Sequence, residues 1–313
     1  MPGSIPGSGT GEAMAVTPYT VEREGPVEAS RRRAWTAATR DFLRRKPIGA
    51  IGAAIVLLMA LAAALADLIA PYHPLATDYA RMLGAPSFAH PLGTDEFGRD
   101  VLSRILYGSR TALLVGFSSA LVGATIGLVI GVSSAYFGGR IDLTVQRLMD
   151  VFMSFPLIIL ALAVVAILGT GTDRVIIAIT VPMVPRAARV CRSSALAIRE
   201  MTYVDAARAA GFHHTRIMFR HILPNVMAPY LIMLTAFLGQ AILLEASLSF
   251  LGLGVQEPTP AWGLMLHGGA TQYAESAPWM AIFPGIAISL AVFAFNLFGD
   301  ALRDVLDPRL RNL

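Results

Sequence analysis

Lysine is nearly absent from this chain, which limits the nucleotide chemistry that it could perform. Lys46 is the single lysine among 313 residues, and no Gly-x-x-x-x-Gly stands before it. A P-loop needs a lysine at that spacing to contact the phosphates of a bound nucleotide. The sequence also contains neither His-Glu-x-x-His nor Gly-x-Ser-x-Gly, the patterns of many zinc proteases and serine hydrolases. We therefore predict no catalytic residue and no cofactor held by this chain.

Three histidines close together in the sequence are the candidates for a metal site. They are His213, His214 and His221. The first two are adjacent, so on a helix their side chains would point about 100° apart. Histidines at a solvated surface or at an interface explain this pattern better than a shared ion, and we predict no metal site.

The most informative stretch is residues 203–225, which we call the alanine-rich loop. The small residues of its first half are Ala206, Ala207, Ala209 and Ala210. Alanine favours a helix, whereas Gly211 favours a bend and Pro224 interrupts a helix. The pattern therefore predicts a short helix, a bend at Gly211, and a second helix that stops at Pro224.

The surface of this loop could be recognised by another protein. Small side chains would leave a flat helix surface that a partner can approach closely. Arg208, Arg216 and Arg220 would add positive charge to it. The alternative that involves no partner is a plain helical hairpin between two longer helices.

A single acidic residue, Glu245, interrupts an apolar stretch. A charged acid at the centre of a membrane helix costs about 2.5–3.5 kcal/mol on insertion scales, so it should face the protein interior rather than lipid. Two interpretations remain open. If the chain forms a path through a membrane, Glu245 could line that translocation path near its outer mouth; otherwise it could form an interhelical hydrogen bond or lie near the interface.

Long apolar runs surround these residues and identify the class of protein. The chain is 55% hydrophobic and 15% charged, whereas an ordinary soluble domain is about 25% charged. A helix of roughly 20 apolar residues crosses the hydrocarbon core of a bilayer. Runs near that length lie at 48–70, 111–139, 151–172, 226–244 and 277–299. Buried helices of a large soluble protein rarely supply so many, so we predict an all-α membrane protein.

A sixth membrane-spanning helix is predicted at Val175–Ile198. Its first half is apolar, and Arg186, Arg189 and Arg192 follow on one helical face. These side chains could reach the lipid headgroups or face other helices. The second half of the helix is expected to emerge into the cytoplasm.

The positive charges indicate how the chain is oriented. With six spans and the N-terminus inside, all but five of the 25 lysines and arginines fall on the cytoplasmic side. The exceptions are Arg81, Arg99, Arg104, Arg110 and Arg174. This positive-inside asymmetry predicts that both termini are cytoplasmic. It also accounts for the net charge of +4 without a nucleic-acid partner.

The remaining features divide the chain into segments. Residues 1–46 are predicted to be a disordered cytoplasmic tail, because residues 1–30 are rich in Gly, Pro, Ser and Glu and lack the apolar core of a signal peptide. Residues 47–108 would hold the first span and an outer segment that ends in an amphipathic helix. Residues 109–304 would hold the other spans, and residues 305–313 a cytoplasmic tail. Cys191 is the only cysteine, so no intrachain disulfide can form.

Part of the alanine-rich loop resembles the EAA motif of ABC importer permeases. The positions that match the motif are Asp205, Ala206, Ala207, Gly211, His221, Leu223 and Pro224. Asp205 replaces the usual Glu but keeps its charge, and His221 replaces the usual Ile. His-Ile-Leu-Pro-Asn is common in the peptide-importer branch of that family. The resemblance implies that these residues form a coupling helix, which in the family docks into a groove on the ATPase subunit.

Further matches narrow the branch of the family. His90–Arg110, with its Leu-Gly-Thr-Asp-Glu-x-Gly-Arg-Asp core, is similar to the outer segment of C-type permease subunits for dipeptides, oligopeptides and nickel. Ala135–Gly139, Pro258–Gly263 and Phe295–Arg309 are similar to other parts of these subunits. Together the matches extend from about residue 45 to the C-terminus.

The resemblance implies a complete transport system. The fold would be that of a type I ABC importer permease with six transmembrane helices, in the cytoplasmic membrane of a prokaryote. The partners would be a B-type permease subunit, two ATPase subunits that bind ATP and Mg, and an extracytoplasmic solute-binding protein. The expected substrate is a dipeptide or oligopeptide. Nickel or glutathione are alternatives, because in this family the binding protein sets most of the selectivity.

An ion-coupled secondary transporter is the alternative from a different functional class. It should show paired acids within the membrane and inverted repeats. Asp67 and Glu245 alone give that alternative little support.

Overall fold

Helices account for most of the residues that a computed structural model describes, 46–306. In chain order they are α1 (Pro47–Ala64), α2 (Ala66–Ile69), α3 (Val101–Phe137), α4 (Gly139–Met153), α5 (Leu157–Leu168), α6 (Thr172–Arg199), α7 (Thr202–Ala209), α8 (His214–Ile217), α9 (Leu223–Phe250), α10 (Trp262–Thr271) and α11 (Trp279–Leu306). No strand forms within these described residues, and the all-α prediction is confirmed. The predicted N-terminal tail, apart from Lys46, and residues 307–313 lie outside the described range.

The long helices are those expected of a membrane protein. Within residues 46–306, the helices long and apolar enough to cross a bilayer are Pro47–Ala64, Val101–Phe137, His214–Phe250 and Trp279–Val305. The bent pair α4 and α5 adds another span if both helices belong to one passage. The predicted count of six spans is therefore not established by length and composition. The helix α6, which corresponds to the sixth predicted span, is not among these apolar helices, because charged residues occupy both of its ends.

The predicted span at 151–172 is wrong as a single straight helix. The chain turns by 90° between α4 and α5. Pro156 explains the turn, because proline lacks an N–H and its ring disfavours the helical conformation at the preceding residue, Phe155. The 12 residues of α5 cover only about 18 Å, less than the hydrocarbon core of about 30 Å. The apolar run continues across the break, so the hydropathy alone did not reveal it.

Two of the three predicted arginines of α6, Arg189 and Arg192, contact α4, which is one of the two environments predicted for them. The guanidinium of Arg192 donates to both carboxylate oxygens of Asp142, at 2.6 and 2.5 Å. Arg189 forms a second ion pair with Asp150. These two pairs join the polar face of α4 to the second half of α6.

The helices α3 and α6 pack closely against each other. A Cβ added at Gly127 would lie 2.4 Å from the Cβ of Ala187, and one added at Gly131 would lie 2.4 Å from the carbonyl oxygen of Ala188. Real Cβ atoms do not approach so closely, so only glycine fits at these two positions. The helix α9 completes this core with buried side chains that include Val226.

The segment between α9 and α11 contains a helix that the sequence did not predict, α10. Its first residue, Trp262, is buried, and its indole N–H donates to the carbonyl oxygen of Ile105 at 2.9 Å. The indole also lies so close to Gly108 of α3 that no space remains for a side chain there. The tryptophan therefore fixes α10 against the start of α3.

Candidate partner-docking loop and a buried ionic cluster

Gly211 ends the first helix of the alanine-rich loop. Its φ is 75°, a left-handed conformation that glycine adopts without a steric penalty. Its N–H donates to the carbonyl oxygen of Arg208 at 2.9 Å, and the N–H of Phe212 donates to that of Ala207 at 3.1 Å. This pair of bonds is the Schellman arrangement, which satisfies carbonyl groups at the end of a helix. The structure thus contains the predicted bend and gives its cause.

Buried apolar side chains anchor one face of the loop. They are Val204 and Ala207 of α7, Ile217 of α8, and Ile222. Because these residues pack into the core, the rotation of α7 about its axis is fixed and its opposite face is directed outward.

The seven motif positions do not share one environment. The exposed ones are Asp205, Ala206, Gly211 and Pro224. The half-buried ones are His221 and Leu223, and Ala207 is buried. Of the four alanines predicted to form a flat surface, Ala207 faces the core instead. The other three are exposed.

The exposed face of the loop is strongly positive. Asp205 is the single acid among residues 203–225, and its carboxylate accepts a hydrogen bond from Arg208 at 2.8 Å. Arg220 is exposed, and the guanidinium of the exposed Arg216 lies 4.2 Å from the centre of the Phe212 ring. One carboxylate cannot balance three guanidinium groups, so this surface is complementary to acidic groups.

The structure separates the three histidines. The Nδ1 atom of His214 lies 2.7 Å from the hydroxyl of Tyr136 at the end of α3. The ring of His221 stacks on Phe212, with 6.2 Å between the centroids. His213 precedes α8 as an exposed residue. Within residues 46–306, no group of three or more His, Cys, Asp or Glu side chains is arranged to hold a metal ion.

The prediction that Pro224 stops a helix is wrong. A π-helical turn at Met218–Ile222 connects α8 to α9, and Pro224 lies in the first turn of α9. Proline is tolerated there because the first turn of a helix has no partner for its N–H. The amide of Asn225 donates to the carbonyl oxygen of His221 at 2.7 Å and supports the turn. The loop is thereby continuous with a long membrane helix.

Glu245 lies inside the protein, with 1% of its surface exposed. Its carboxylate accepts a hydrogen bond from the hydroxyl of Ser249 at 2.7 Å, one turn further along α9. The same hydroxyl accepts a hydrogen bond from the N–H of Val255, just beyond the end of α9, at 3.1 Å. In this conformation the acid therefore contacts the end of its own helix rather than an open surface.

A buried ionic cluster at the other end of α3 was not identified from the sequence. Its members are Asp95, Glu96, Arg99, Arg104 and Glu257, which surround a cavity of about 20 Å³. Arg99 donates to Asp95 at 2.6 Å and to Glu257 at 2.9 Å. Arg104, whose side chain is 1% exposed, donates to Glu257 at 3.2 Å.

The cluster joins distant parts of the chain. Glu257 is 158 positions from Arg99, and no local spacing could have revealed that contact. The pairing of Asp95 with Arg99 has the i, i+4 spacing of a helical ion pair and was the one signal available in the sequence. Partial burial raises the pKa of the neighbouring Glu96 carboxyl above its ordinary value.

The fold is similar to one seen in a solved transporter structure. An inward facing conformation of the MetNI methionine ABC transporter matches with a TM-score of 0.55 and 21% sequence identity. The match covers 66% of this chain and 97% of that chain. At this identity the likeness shows a shared fold and nothing about substrate.

Curated relatives match over most of the chain. The dipeptide transport system permease protein DppC of Alkalihalophilus pseudofirmus is 41% identical over 278 residues, 89% of this chain and 91% of that protein. The glutathione transport system permease protein GsiD of Pectobacterium atrosepticum is 43% identical over 286 residues, 91% of this chain and 94% of that protein.

Two family models also match. The N-terminal transmembrane domain of oligopeptide transport permease C matches residues 34–88. The model of the binding-protein-dependent transport system inner membrane component matches residues 123–312, more than half of the chain. With its apolar helices and the agreement of fold and relatives, the chain belongs to the family of binding-protein-dependent transport system inner membrane components, as an ABC importer permease of the DppC/OppC type.

Proposed function

We propose that this permease imports peptides across the cytoplasmic membrane. The support comes from relatives at 41% and 43% identity that are named as dipeptide and glutathione permeases. Glutathione is itself a small peptide, so both names describe peptide-like substrates. Nickel remains the alternative substrate of different chemistry.

The proposed partners are a B-type permease subunit, two ATPase subunits and an extracytoplasmic solute-binding protein. ATP and Mg would be bound by the ATPase subunits, because this chain has no lysine in a P-loop pattern. The end of the molecule that carries the alanine-rich loop would face the cytoplasm, with both termini, in agreement with the positive-inside asymmetry. Residues 1–46 and 305–313 would be tails that flank segments 47–108 and 109–304.

The observation that carries the proposal is the construction of the alanine-rich loop. One face is anchored by buried apolar residues, while the opposite face presents small side chains and unbalanced arginines. The motif positions named above would form the contact with an acidic groove of an ATPase subunit. Because α9 continues directly from this loop, a displacement of the loop would move that helix as a rigid body.

Substitution of Gly211 tests the docking role. A Cβ at this position would meet no atom of the described residues within 4 Å, so the obstacle to substitution is the left-handed backbone and not space. Gly211→Val should abolish uptake in cells and co-purification of the ATPase, while the subunit stays in the membrane. Gly211→Asn is the matched control, because asparagine tolerates the left-handed conformation.

The results for these two variants distinguish the possible causes of a loss of function. Loss of function in Gly211→Val alone would identify the backbone conformation as the requirement. Loss in both would indicate that the partner approaches the glycine closely. Normal uptake by Gly211→Val would refute the proposal.

The substrate needs a separate measurement, in which proteoliposomes of the assembled transporter are supplied with ATP. We expect accumulation of labelled dipeptide or oligopeptide that depends on the binding protein. Accumulation of glutathione alone or of Ni²⁺ alone would replace the peptide assignment without affecting the permease assignment.

Glu245 is proposed to line the translocation path when the helices change position. Its burial and its bond to Ser249 in this conformation mean that the path would have to open beside it. Glu245→Gln should reduce uptake of cationic peptides more than that of neutral peptides. Equal effects on both would assign the residue to the packing of α9 instead.

A further inference from the structure

An apolar cavity of about 270 Å³ lies between α1, α3, α10 and α11. Its walls include Leu58 and Ala62 of α1, Leu106 of α3, Trp262 of α10 and Ala291 of α11. The cavity is larger than the engineered apolar cavity of about 150 Å³ in another protein that stays dry and binds benzene. Apolar walls of this extent stay out of water only when something covers them, so the occupant of the cavity needs an explanation.

Polar contacts hold both ends of α1, one on each side of the cavity. At one end, Lys46 forms an ion pair with Asp304 of α11 at 2.6 Å. At the other end, the guanidinium of Arg110 donates to the carbonyl oxygen of Ala63 at 2.5 Å and to the carboxylate of Asp67 at 2.9 Å. The residues of α1 that line the cavity lie between these attachments.

The walls offer no polar group to a ligand. None of the lining residues is charged. The hydroxyl of Ser109 donates to the carbonyl oxygen of Leu106 at 2.5 Å. The indole N–H of Trp262 donates to the carbonyl oxygen of Ile105 at 2.9 Å, so both donors are already used within the protein. A peptide or another polar solute would lose its hydrogen bonds with water there and gain none, which is costly.

The cavity is open toward the surroundings of the membrane helices. Leu58 is 65% exposed, and the lining residue Leu290 of α11 is exposed as well. Both belong to helices long and apolar enough to span a bilayer, so the medium in contact with them is hydrocarbon. We propose that this cavity holds one acyl chain of a phospholipid from the surrounding membrane.

Trp262 provides a direct test, because bromine atoms on an acyl chain quench tryptophan fluorescence only at short range. The full-length chain is placed in nanodiscs of phosphatidylcholine with brominated acyl chains. The chain has three tryptophans, so the emission of Trp262 is obtained as the difference from Trp262→Phe. We expect Trp262, although it is 4% exposed, to lose most of its emission.

A matched pair of variants identifies the cavity as the cause. Ala62→Leu would place a larger side chain in the cavity and obstruct it, whereas Ala60→Leu makes the same change at an exposed position of α1 outside it. Quenching of Trp262 should be relieved in Ala62→Leu and retained in Ala60→Leu. Equal quenching in the two variants overturns the proposal.

Native mass spectrometry gives a second measurement that does not depend on the Trp262→Phe reference. The purified wild-type chain should retain one phospholipid, which Ala62→Leu loses and Ala60→Leu keeps. Equal retention by the two variants contradicts the proposal. So does protection of Trp262 from bromine in the assembled transporter but not in the isolated chain, because a partner subunit would then fill the cavity.

Discussion

The two ends of α3 use charged side chains in opposite ways. At its start, the ionic cluster buries two arginines against three carboxyl groups, and Arg104 is 1% exposed. At its end, 37 residues or about 55 Å away, the alanine-rich loop leaves its arginines exposed with one acid among them. Charges that are satisfied within the chain hold segments together, whereas unbalanced charges are available to a partner.

This contrast explains the different tolerance that we expect at the two ends. Removing one member of a buried ion pair leaves the other charged and without water. Removing an exposed charge leaves its neighbour solvated and costs little. Variants at the ionic cluster should therefore affect stability, and variants at the alanine-rich loop should affect coupling.

The largest effect on stability is expected from Asp95→Ala. The carboxylate of Asp95 accepts bonds from the N–H of Phe97 at 2.9 Å, the N–H of Arg99 at 2.8 Å and the Arg99 side chain. Its loss should lower the free energy of unfolding by about 3–5 kcal/mol, because buried Arg99 loses a partner. Asp95→Asn, which keeps one acceptor oxygen, should cost less, and thermal denaturation in detergent measures both.

The next effect is that of Gly211→Val on the alanine-rich loop. A left-handed conformation costs a residue with a Cβ about 1–2 kcal/mol, and only the end of α7 should respond. We expect the midpoint of thermal denaturation to change little while ATPase co-purification is lost. A large fall in that midpoint would mean that the loop, like the ionic cluster, stabilises the fold.

A smaller effect on stability is expected from Arg208→Ala. The pair of Arg208 with Asp205 is exposed on both sides, and such pairs contribute about 0–1 kcal/mol. Binding of the ATPase should nevertheless weaken, and more so at low salt, because the charge is available to an acidic partner. Titration of the isolated ATPase against the variant in nanodiscs, at two salt concentrations, measures this. An unchanged affinity for the ATPase would show that Arg208 is not part of the docking surface.

The smallest effect concerns Glu96, whose pKa is raised because the carboxyl group is partly buried. The folded state therefore binds this proton more tightly than the unfolded state does, and the associated stability is present at low pH and lost as pH rises through the raised pKa. Glu96→Gln should be slightly more stable than the wild type at neutral pH and should lack this part of the pH dependence. The measurement is the midpoint of denaturation as a function of pH, around the raised pKa, for both proteins. An equal dependence of the midpoint on pH in the two proteins would contradict this prediction.

Much of the fold followed from local sequence. The positions of α1, α3, α9 and α11 could be predicted because hydropathy acts on each helix separately, through its own contact with lipid. The bend at Gly211 could be predicted because a Schellman turn depends only on neighbouring residues. Pro156 also has a local effect, but the apolar run around it concealed the break between α4 and α5.

The candidate loop was less completely predictable. The sequence indicated a small and positive surface, but only packing turned Ala207 inward and left Ala206 outward. The role predicted for Pro224 was wrong, because the same proline can end one helix or begin the next. The choice depends on the π-helical turn that precedes it.

By itself the sequence determined that the chain is a helical membrane protein without a P-loop and that residues 203–225 resemble a docking loop. These properties depend on composition and short spacing. Only the tertiary structure decided that Arg99 meets Glu257, that Glu245 is buried beside Ser249, and that a cavity remains beside α1. Each of these results from how distant segments pack, and the energy of such contacts depends on three-dimensional distance rather than on separation along the chain.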